Sequence, residues 1–374
     1  LKYDVAVIGG SSAGLYAAEI LARNGKKVIL FEQADSFHPS VRTYIITPNL
    51  FQIMPDVESG LILHSINTFH LQAGSFESVL ELSSPDLVID RNQLISSLLK
   101  RAKKAGVELH FGSEFKGIFT ENGYTRIEVL SESGVKSYQA DNLIAADGIK
   151  NSLGKAVGLP DPQVVPILQA EVTLPEDWDP GVTRIWFEVE DTSYFYWFIP
   201  DSDISGVLGL IADPGTDSRQ LLDNFLSRQQ ISPSGYQSGV VALHNPSLVN
   251  EKKIGKMRIL RVGDAAGQVK NTTVGGTVTG LFGSKAAAQA ILNERPYKET
   301  LRKGNRELDL HAFIRNLLGR MNQVDYGLLI SSLSQPVLSF LRKNNRDSMR
   351  SEFWKLVFIQ PRFIPLGVKL LLKK

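Results

Sequence analysis

Two glycine-rich stretches of this chain place backbone N–H groups and carboxylates where a dinucleotide could be held. Near the N-terminus, an apolar run at residues 3–8 leads into Gly9-Gly10-Ser11-Ser12-Ala13-Gly14 and then a helix-like stretch at 15–24, stopped by Gly25. Gly9 permits the turn, Gly14 allows close helix–strand packing, and the helix N-terminus offers free N–H groups and a positive dipole end to a pyrophosphate. A second apolar run at 27–31 delivers Glu32 at the distance expected of the acid that accepts hydrogen bonds from an adenosine ribose, and a carboxylate there disfavours a 2′-phosphate. Far along the chain, Arg261-Val262-Gly263-Asp264-Ala265-Ala266-Gly267 is closed by Gly275-Gly276. The first turn alone suits NAD, NADP or FAD. A second apolar strand ending in Gly-Asp and feeding a glycine-led helix is what a ribityl chain needs, so the pair points to FAD.

The elements that must position these residues follow from periodicity. Asp90-Arg91 leads into an amphipathic stretch at 92–105, with Leu94, Ile95, Leu98 and Leu99 at helical spacing. Arg91 stands at the start of that helix, where its guanidinium could meet a phosphate or the flavin edge, or form an ordinary ion pair with Asp90. Residues 142–146 form another apolar strand, ending in Asp147-Gly148, which also reads as a plain turn. Ser11 occupies the middle glycine position of the G-x-G-x-x-G pattern and adds a small side chain where backbone and pyrophosphate approach most closely. Gln33 and Arg42 complete the candidate cofactor set of Gly9, Gly10, Ser11, Ser12, Ala13, Gly14, Glu32, Arg91, Asp147, Gly148, Gly263, Asp264, Gly275 and Gly276.

In this order, the four segments resemble the FAD-dependent superfamily that includes aromatic hydroxylases, flavin-dependent halogenases and geranylgeranyl reductases. The register Gly263-Asp264-Ala265-Ala266-Gly267 followed by Thr273-Val274-Gly275-Gly276 is most similar to the reductase branch. Hydroxylases usually carry His at the place of Gly267, and halogenases show serines at Thr273 to Gly275. The chain departs from the reductase pattern in three places. Asn271 stands for its proline, Val274 stands for its first glycine, and the Cys-Gly element is absent from a chain without cysteine. The aromatic stretch Phe195-Tyr196-Trp197-Phe198-Ile199-Pro200 is similar to both the reductase and the halogenase motifs. Trp197 and Tyr196 are the candidate substrate wall, with a plain aromatic core strand as the alternative.

The resemblance implies a Rossmann-like α/β fold in which the FAD-binding domain comprises residues 1–75, 92–160 and 255–295. An inserted antiparallel-sheet substrate domain would take 76–91 and 161–254, and a helical C-terminal region 296–374. It implies an FAD-dependent oxidoreductase that reduces C=C bonds of a geranylgeranyl or other hydrophobic isoprenoid lipid by hydride transfer from flavin N5. Asp264 would bind the ribityl chain, and the N–H groups of Gly275 and Gly276 would face N1 and O2. The second expectation is a monooxygenase or halogenase working through a C4a-hydroperoxide. A third is a flavoprotein fold kept as a lipid-binding or assembly factor. With no second dinucleotide motif, the electrons are expected from an external donor, NADPH or ferredoxin-like.

Composition agrees with this picture without selecting within it. The 374 residues, 43% hydrophobic, suffice for two domains, and a net charge of +2 without a basic block gives no case for nucleic acid. Zero cysteines exclude disulfides and thiolate chemistry, and six scattered histidines predict no metal site. The first strand begins near the first residue, so no signal peptide is read, and no stretch predicts a spanning helix. A cytoplasmic location is expected. The tail, from Phe353-Trp354 to Leu372, interleaves bulky apolar groups with Lys355, Arg362, Lys369, Lys373 and Lys374. It is expected either to touch an anionic membrane surface or to dock on its own domain.

Overall fold

A computed structural model of the chain describes residues 2–36, 43–57, 59–121, 124–344, 346–347 and 349–373. It divides into two compact units, the first comprising Leu1–Ser40, Arg91–Val164 and Ala242–Asp309 and the second Val41–Asp90, Val165–Val241 and Leu310–Lys374. The fold is mixed α/β with a Rossmann-like first unit, as the sequence implied.

The first unit is built on an eight-stranded sheet. In it the strands Glu251–Ile254, Met257–Arg261, Gly134–Ala145, Lys2–Ile8, Val28–Phe31 and Glu108–His110 lie side by side in that order. From Met257–Arg261 across to Glu108–His110 every neighbouring pair is parallel. A parallel sheet is covered on both faces, which is why Val28–Phe31 is uniformly apolar and buried. Helix Ser12–Arg23 buries Leu15, Tyr16, Ala17, Ala18 and Leu21. Its one buried acid, Glu19, is paired with Arg23 of its own helix at 2.9 Å and with Arg101 of helix Arg91–Lys104 at 2.9 Å. Two charge-assisted contacts offset the desolvation of that carboxylate and tie the two helices together.

The second unit has its own eight-stranded sheet, in the order Pro233–Ala242, Val164–Thr173, Ser205–Ile211, Tyr196–Pro200, Val182–Trp186, Ile62–Ala73, Phe76–Asp90 and Thr43–Ile46. Val182–Trp186 and Ile62–Ala73 run parallel, and the pairings on either side of them are antiparallel. Helix Ser218–Arg228 packs Leu222, Phe225 and Leu226 against one face, over Leu168, Ala170, Leu208, Leu210, Tyr196 and Phe198. The helices Gln323–Ser331, Gln335–Lys343, Met349–Ile359 and Phe363–Leu372 close the chain in this unit.

The two units divide the chain differently from the expected domains in two places. Residues 43–75 fall in the second unit. Thr43–Ile46 pairs with the far end of Phe76–Asp90, and Ile62–Ala73 pairs with both Phe76–Asp90 and Val182–Trp186. Strand pairing decides it, with Phe76–Asp90 nearby in the chain and with Val182–Trp186 more than a hundred positions away. Residues 296–374 also form no unit of their own, since the portion through Asp309 clusters with the first unit and the remainder with the second. Among the described residues no helix is long and apolar enough to cross a membrane.

Candidate functional site

Register brings the sequence motifs together. Ile8 lies opposite Ala145, Ala145 lies opposite Arg261, and Ile8 lies opposite Phe31, so four adjacent parallel strands end at one level. The segments that leave them are Gly9–Gly14, Ala146-Asp147-Gly148, Gly263–Gly267 and Glu32. All four emerge beyond the carboxyl ends of the strands, the place where open parallel sheets bind their ligands.

Close packing explains the glycines there. Gly9 has φ +106°, and a Cβ on it would stand 2.4 Å from the Ala146 carbonyl oxygen. A Cβ on Gly14 would stand 2.1 Å from the Gly9 carbonyl oxygen, and one on Gly263 3.0 Å from Ala13 Cβ. The last contact joins the N-terminal turn to the distal one. Gly10 donates its N–H to Glu32 Oε2 at 2.6 Å and Ala34 donates to Oε1 at 3.0 Å, which fixes the carboxylate while leaving lone pairs on both oxygens for ribose hydroxyls.

Ser11 has a structural reason for replacing glycine. It is the N-cap of helix Ser12–Arg23, its Oγ accepting from Gly14 N–H at 3.2 Å and donating to the Ala146 carbonyl at 3.1 Å. Its side chain is thereby committed to protein partners, and Ser12 and Ala13 lie in the first helical turn, whose N–H groups have no acceptor within the helix.

Asp147 accepts the Leu153 N–H at 2.9 Å through Oδ2, while Oδ1 is buried without a protein partner. Burial pushes its carboxyl above the usual aspartate range, with backbone hydrogen bonds and Arg261 opposing. An orphaned buried acceptor beside glycines that allow no side chain fits a bound cofactor rich in hydroxyl and N–H donors. Gly148 takes φ +63° and opens a short 3₁₀ turn. Gln33, exposed, accepts from Lys150 Nζ at 2.6 Å. Arg91 opens helix Arg91–Lys104 as its position predicted. Arg42 lies outside the described residues.

The distal motif is held by residues that motif reading passed over. Arg261 is fully buried and donates to Asn250 Oδ1, the Pro160 carbonyl and the Val249 carbonyl, and burial lowers its guanidinium to about 10. Gln268 accepts the Gly263 N–H at 2.7 Å and donates to the Tyr297 hydroxyl at 3.1 Å. A basic residue following the apolar pair Ile259-Leu260 at the end of the strand was the available signal for Arg261. The turn between the motif and helix Thr277–Leu292 accounts for two departures from the reductase pattern. Asn271 exchanges two hydrogen bonds with the His244 backbone, at 2.7 and 2.9 Å, fixing the loop where a proline would stiffen it. Val274 takes φ +52°, the conformation a glycine adopts freely, and its N–H closes on the Lys270 carbonyl at 2.8 Å. Asp264 and Gly276 lie close together: a Cβ on Gly276 would stand 3.4 Å from Asp264 Oδ1.

The two candidate wall residues separate. Tyr196 is fully buried, stacked on Phe225 with ring centroids 3.9 Å apart, and its hydroxyl donates to Asp191 Oδ2 at 3.0 Å. Burial and Asp191 hold its pKa well above that of an ordinary tyrosine. Tyr196 therefore packs in the core under helix Ser218–Arg228, the alternative the sequence left open, and not on a substrate wall. Neighbouring strand residues point to opposite faces, so Trp197 faces away from that helix. There its ring lies over Gly209, where a Cβ would stand 2.5 Å from Trp197 Cζ2, beside Gln169.

Comparison with known proteins agrees with this geometry. The chain is 24% identical over 362 residues to the digeranylgeranylglycerophospholipid reductase of Methanocaldococcus jannaschii, covering 89% of this chain and 91% of that one. It shares its fold with a geranylgeranyl bacteriochlorophyll reductase-like protein from Thermoplasma acidophilum, with a TM-score of 0.80, 19% identity, and 98% and 99% of the two chains covered. It also shares its fold with a flavin-dependent brominase, with a TM-score of 0.71, 15% identity, and 98% and 94% covered. Residues 2–202 match the FAD binding domain family. With a glycine-rich turn, the fixed Glu32 carboxylate and the orphaned Asp147 acceptor at the ends of its parallel strands, the chain belongs to that family and is an FAD-dependent oxidoreductase.

Proposed function

We propose that this protein reduces C=C bonds of a geranylgeranyl or similar isoprenoid lipid. The observation that carries the reading is the distal motif, Gly263-Asp264-Ala265-Ala266-Gly267 with Thr273 and Gly275-Gly276, held in one folded turn by Gln268 and Asn271. The near full-length match to a relative named digeranylgeranylglycerophospholipid reductase supports it. Bound and reduced, FAD supplies a hydride to one alkene carbon while a proton reaches the other.

The chain's own residues bind and orient. Glu32, already fixed by two backbone N–H groups, receives the adenosine ribose, and the first turn of helix Ser12–Arg23 receives the pyrophosphate. Asp264 takes the ribityl hydroxyls. The N–H groups of Gly275 and Gly276, at the start of helix Thr277–Leu292, favour negative charge on the flavin pyrimidine. Gly148 and the Asp147 Oδ1 acceptor complete the cradle, with Arg91 and Gln33 at its margin. Trp197 supplies an apolar wall for a substrate with little polar character, and Tyr196 supports it from the core. An external donor, NADPH or ferredoxin-like, reduces the flavin.

The test is anaerobic reduction of the FAD-loaded protein by dithionite, followed by separate addition of a geranylgeranyl lipid and of air. Reoxidation by the lipid, with a product two hydrogens heavier per bond, is the expected result. Indifference to the lipid, together with hydroxylated or halogenated product in air, would replace this reading with oxygen chemistry.

A further inference from the structure

The last two helices turn their apolar residues the wrong way for a segment that meets only water. Their undersides are fastened to the second unit. Gln360, between the helices, donates to the Ser332 carbonyl at 2.7 Å, and Lys369 pairs with the buried Asp325 at 2.5 Å. Arg320 donates to the carbonyls of Leu370 and Lys373, both at 3.0 Å. Leu366 and Leu370 join the cluster of Met321, Tyr326 and Ile330. The sequence left open whether this tail docks on its own domain, and it does.

The outward side is nevertheless apolar. On Met349–Ile359, Trp354 is 68% exposed and Phe358, one turn on, 81%. On Phe363–Leu372, Ile364, Val368, Leu371 and Leu372 recur at spacings of four, three and one, and all are at least half exposed, with Leu372 at 78%. That is one helical stripe with no polar residue in it. Helix Gln323–Ser331, whose Tyr326 and Ile330 cluster with Leu370, also carries exposed Val324 and Leu328.

A free surface helix shows water its polar face, and exposed apolar groups on this scale mark a contact surface. The charge around the stripe says with what. From Met349 onward the chain carries Arg350, Lys355, Arg362, Lys369, Lys373 and Lys374 against Glu352 alone. Helices of 11 and 10 residues are too short to span a bilayer. Short helices with an aromatic and aliphatic face and a basic margin lie in the headgroup layer.

We propose that helices Met349–Ile359 and Phe363–Leu372 form a membrane-docking surface for anionic lipid bilayers. Trp354, Phe358 and the Ile364–Val368–Leu372 stripe enter the interface and Arg362 meets the lipid phosphates, with Lys355, which holds Glu352 at 2.9 Å, and Lys373, whose Nζ donates to the Arg320 carbonyl at 2.6 Å, at its margin. The surface rests on the exposed stripe and its charge and not on the substrate reading, so either can fail alone.

Flotation of the full-length FAD-loaded protein with vesicles tests it. Binding is expected to phosphatidylcholine vesicles containing phosphatidylglycerol, weakening with added salt. Phe358→Glu with Val368→Glu should lower partitioning more than about tenfold while leaving flavin content and thermal stability unchanged, since both side chains are exposed. Arg362→Gln should lower it about fivefold, the equivalent of about 1 kcal/mol for a basic group near the surface. The proposal is overturned if the protein stays off anionic vesicles at low salt, or if the double glutamate variant binds like the parent. It is also overturned if sedimentation shows a dimer that this variant converts to monomer, since a second copy would then cover the stripe.

Discussion

Replacing Ser11 with glycine restores the residue that the dinucleotide fingerprint calls for, and the structure says that this should make the protein worse. The Ser11 hydroxyl accepts from Gly14 N–H and donates to the buried carbonyl of Ala146. Exchanging a serine N-cap for glycine costs a few tenths of a kcal/mol, and the lost hydrogen bond to Ala146 costs about 1 kcal/mol. The sum is about 1–1.5 kcal/mol. In a unit of this size each kcal/mol corresponds to roughly 2–4 °C in Tm, so the apoprotein should melt about 2–6 °C lower. Affinity for FAD, read by fluorescence titration of the same apoprotein, should change by less than about threefold, because the hydroxyl is engaged with protein and not with the cofactor's place. A variant that bound FAD tenfold or more tightly with no loss of Tm would refute this. It would mean that the serine side chain stands where the pyrophosphate approaches.

Three further outcomes follow from the site. Tyr196→Phe should cost about 1–2 kcal/mol in unfolding free energy through the lost hydroxyl bond to Asp191, which keeps its ion pair with Arg228. Turnover per bound flavin should stay within about twofold, and a hundredfold loss at full flavin content would return Tyr196 to the reacting centre. Asp147→Asn should stabilise the apoprotein near neutral pH, because burial raises the carboxyl's pKa in the folded state. The folded form then binds the proton more tightly than the unfolded one. The penalty is absent below the ordinary aspartate value of 3.8, grows as pH rises towards the raised folded value and is constant above it. Melting curves of the two proteins that run parallel across this range would contradict the assignment. Asp264→Ala should leave the circular dichroism spectrum unchanged and abolish retention of FAD through gel filtration. Stoichiometric FAD in that variant would remove Asp264 from the ribityl site.

The candidate cofactor site was legible because its constraints are local and steric. Gly9, Gly14 and Gly263 are fixed by what a Cβ would strike, Glu32 by its distance along the chain, and the end of each strand by a change from apolar to glycine-rich sequence. Such demands act within a few residues and leave a pattern in one dimension. The tertiary structure alone decided what depended on partners far away in the chain. Residues 43–75 joined the second sheet because Phe76–Asp90 and Val182–Trp186 offered them hydrogen bonds. Tyr196 and Trp197, adjacent and both aromatic, took different roles because a strand alternates its faces and helix Ser218–Arg228 covers only one of them. Arg261 became a structural clamp because three acceptors from two separate segments, Pro160 and Val249-Asn250, converge on it. The tail had one composition with two readings, and the structure shows the docking on its own unit. Asp325, Arg320 and the cluster around Tyr326 capture one side of its helices, while the composition of the other side, already written in the sequence, is left facing outward. Short-range sterics and spacing thus specified the cofactor, whereas which face is covered and which stays open is a property of the assembled neighbours, which sequence periodicity does not contain.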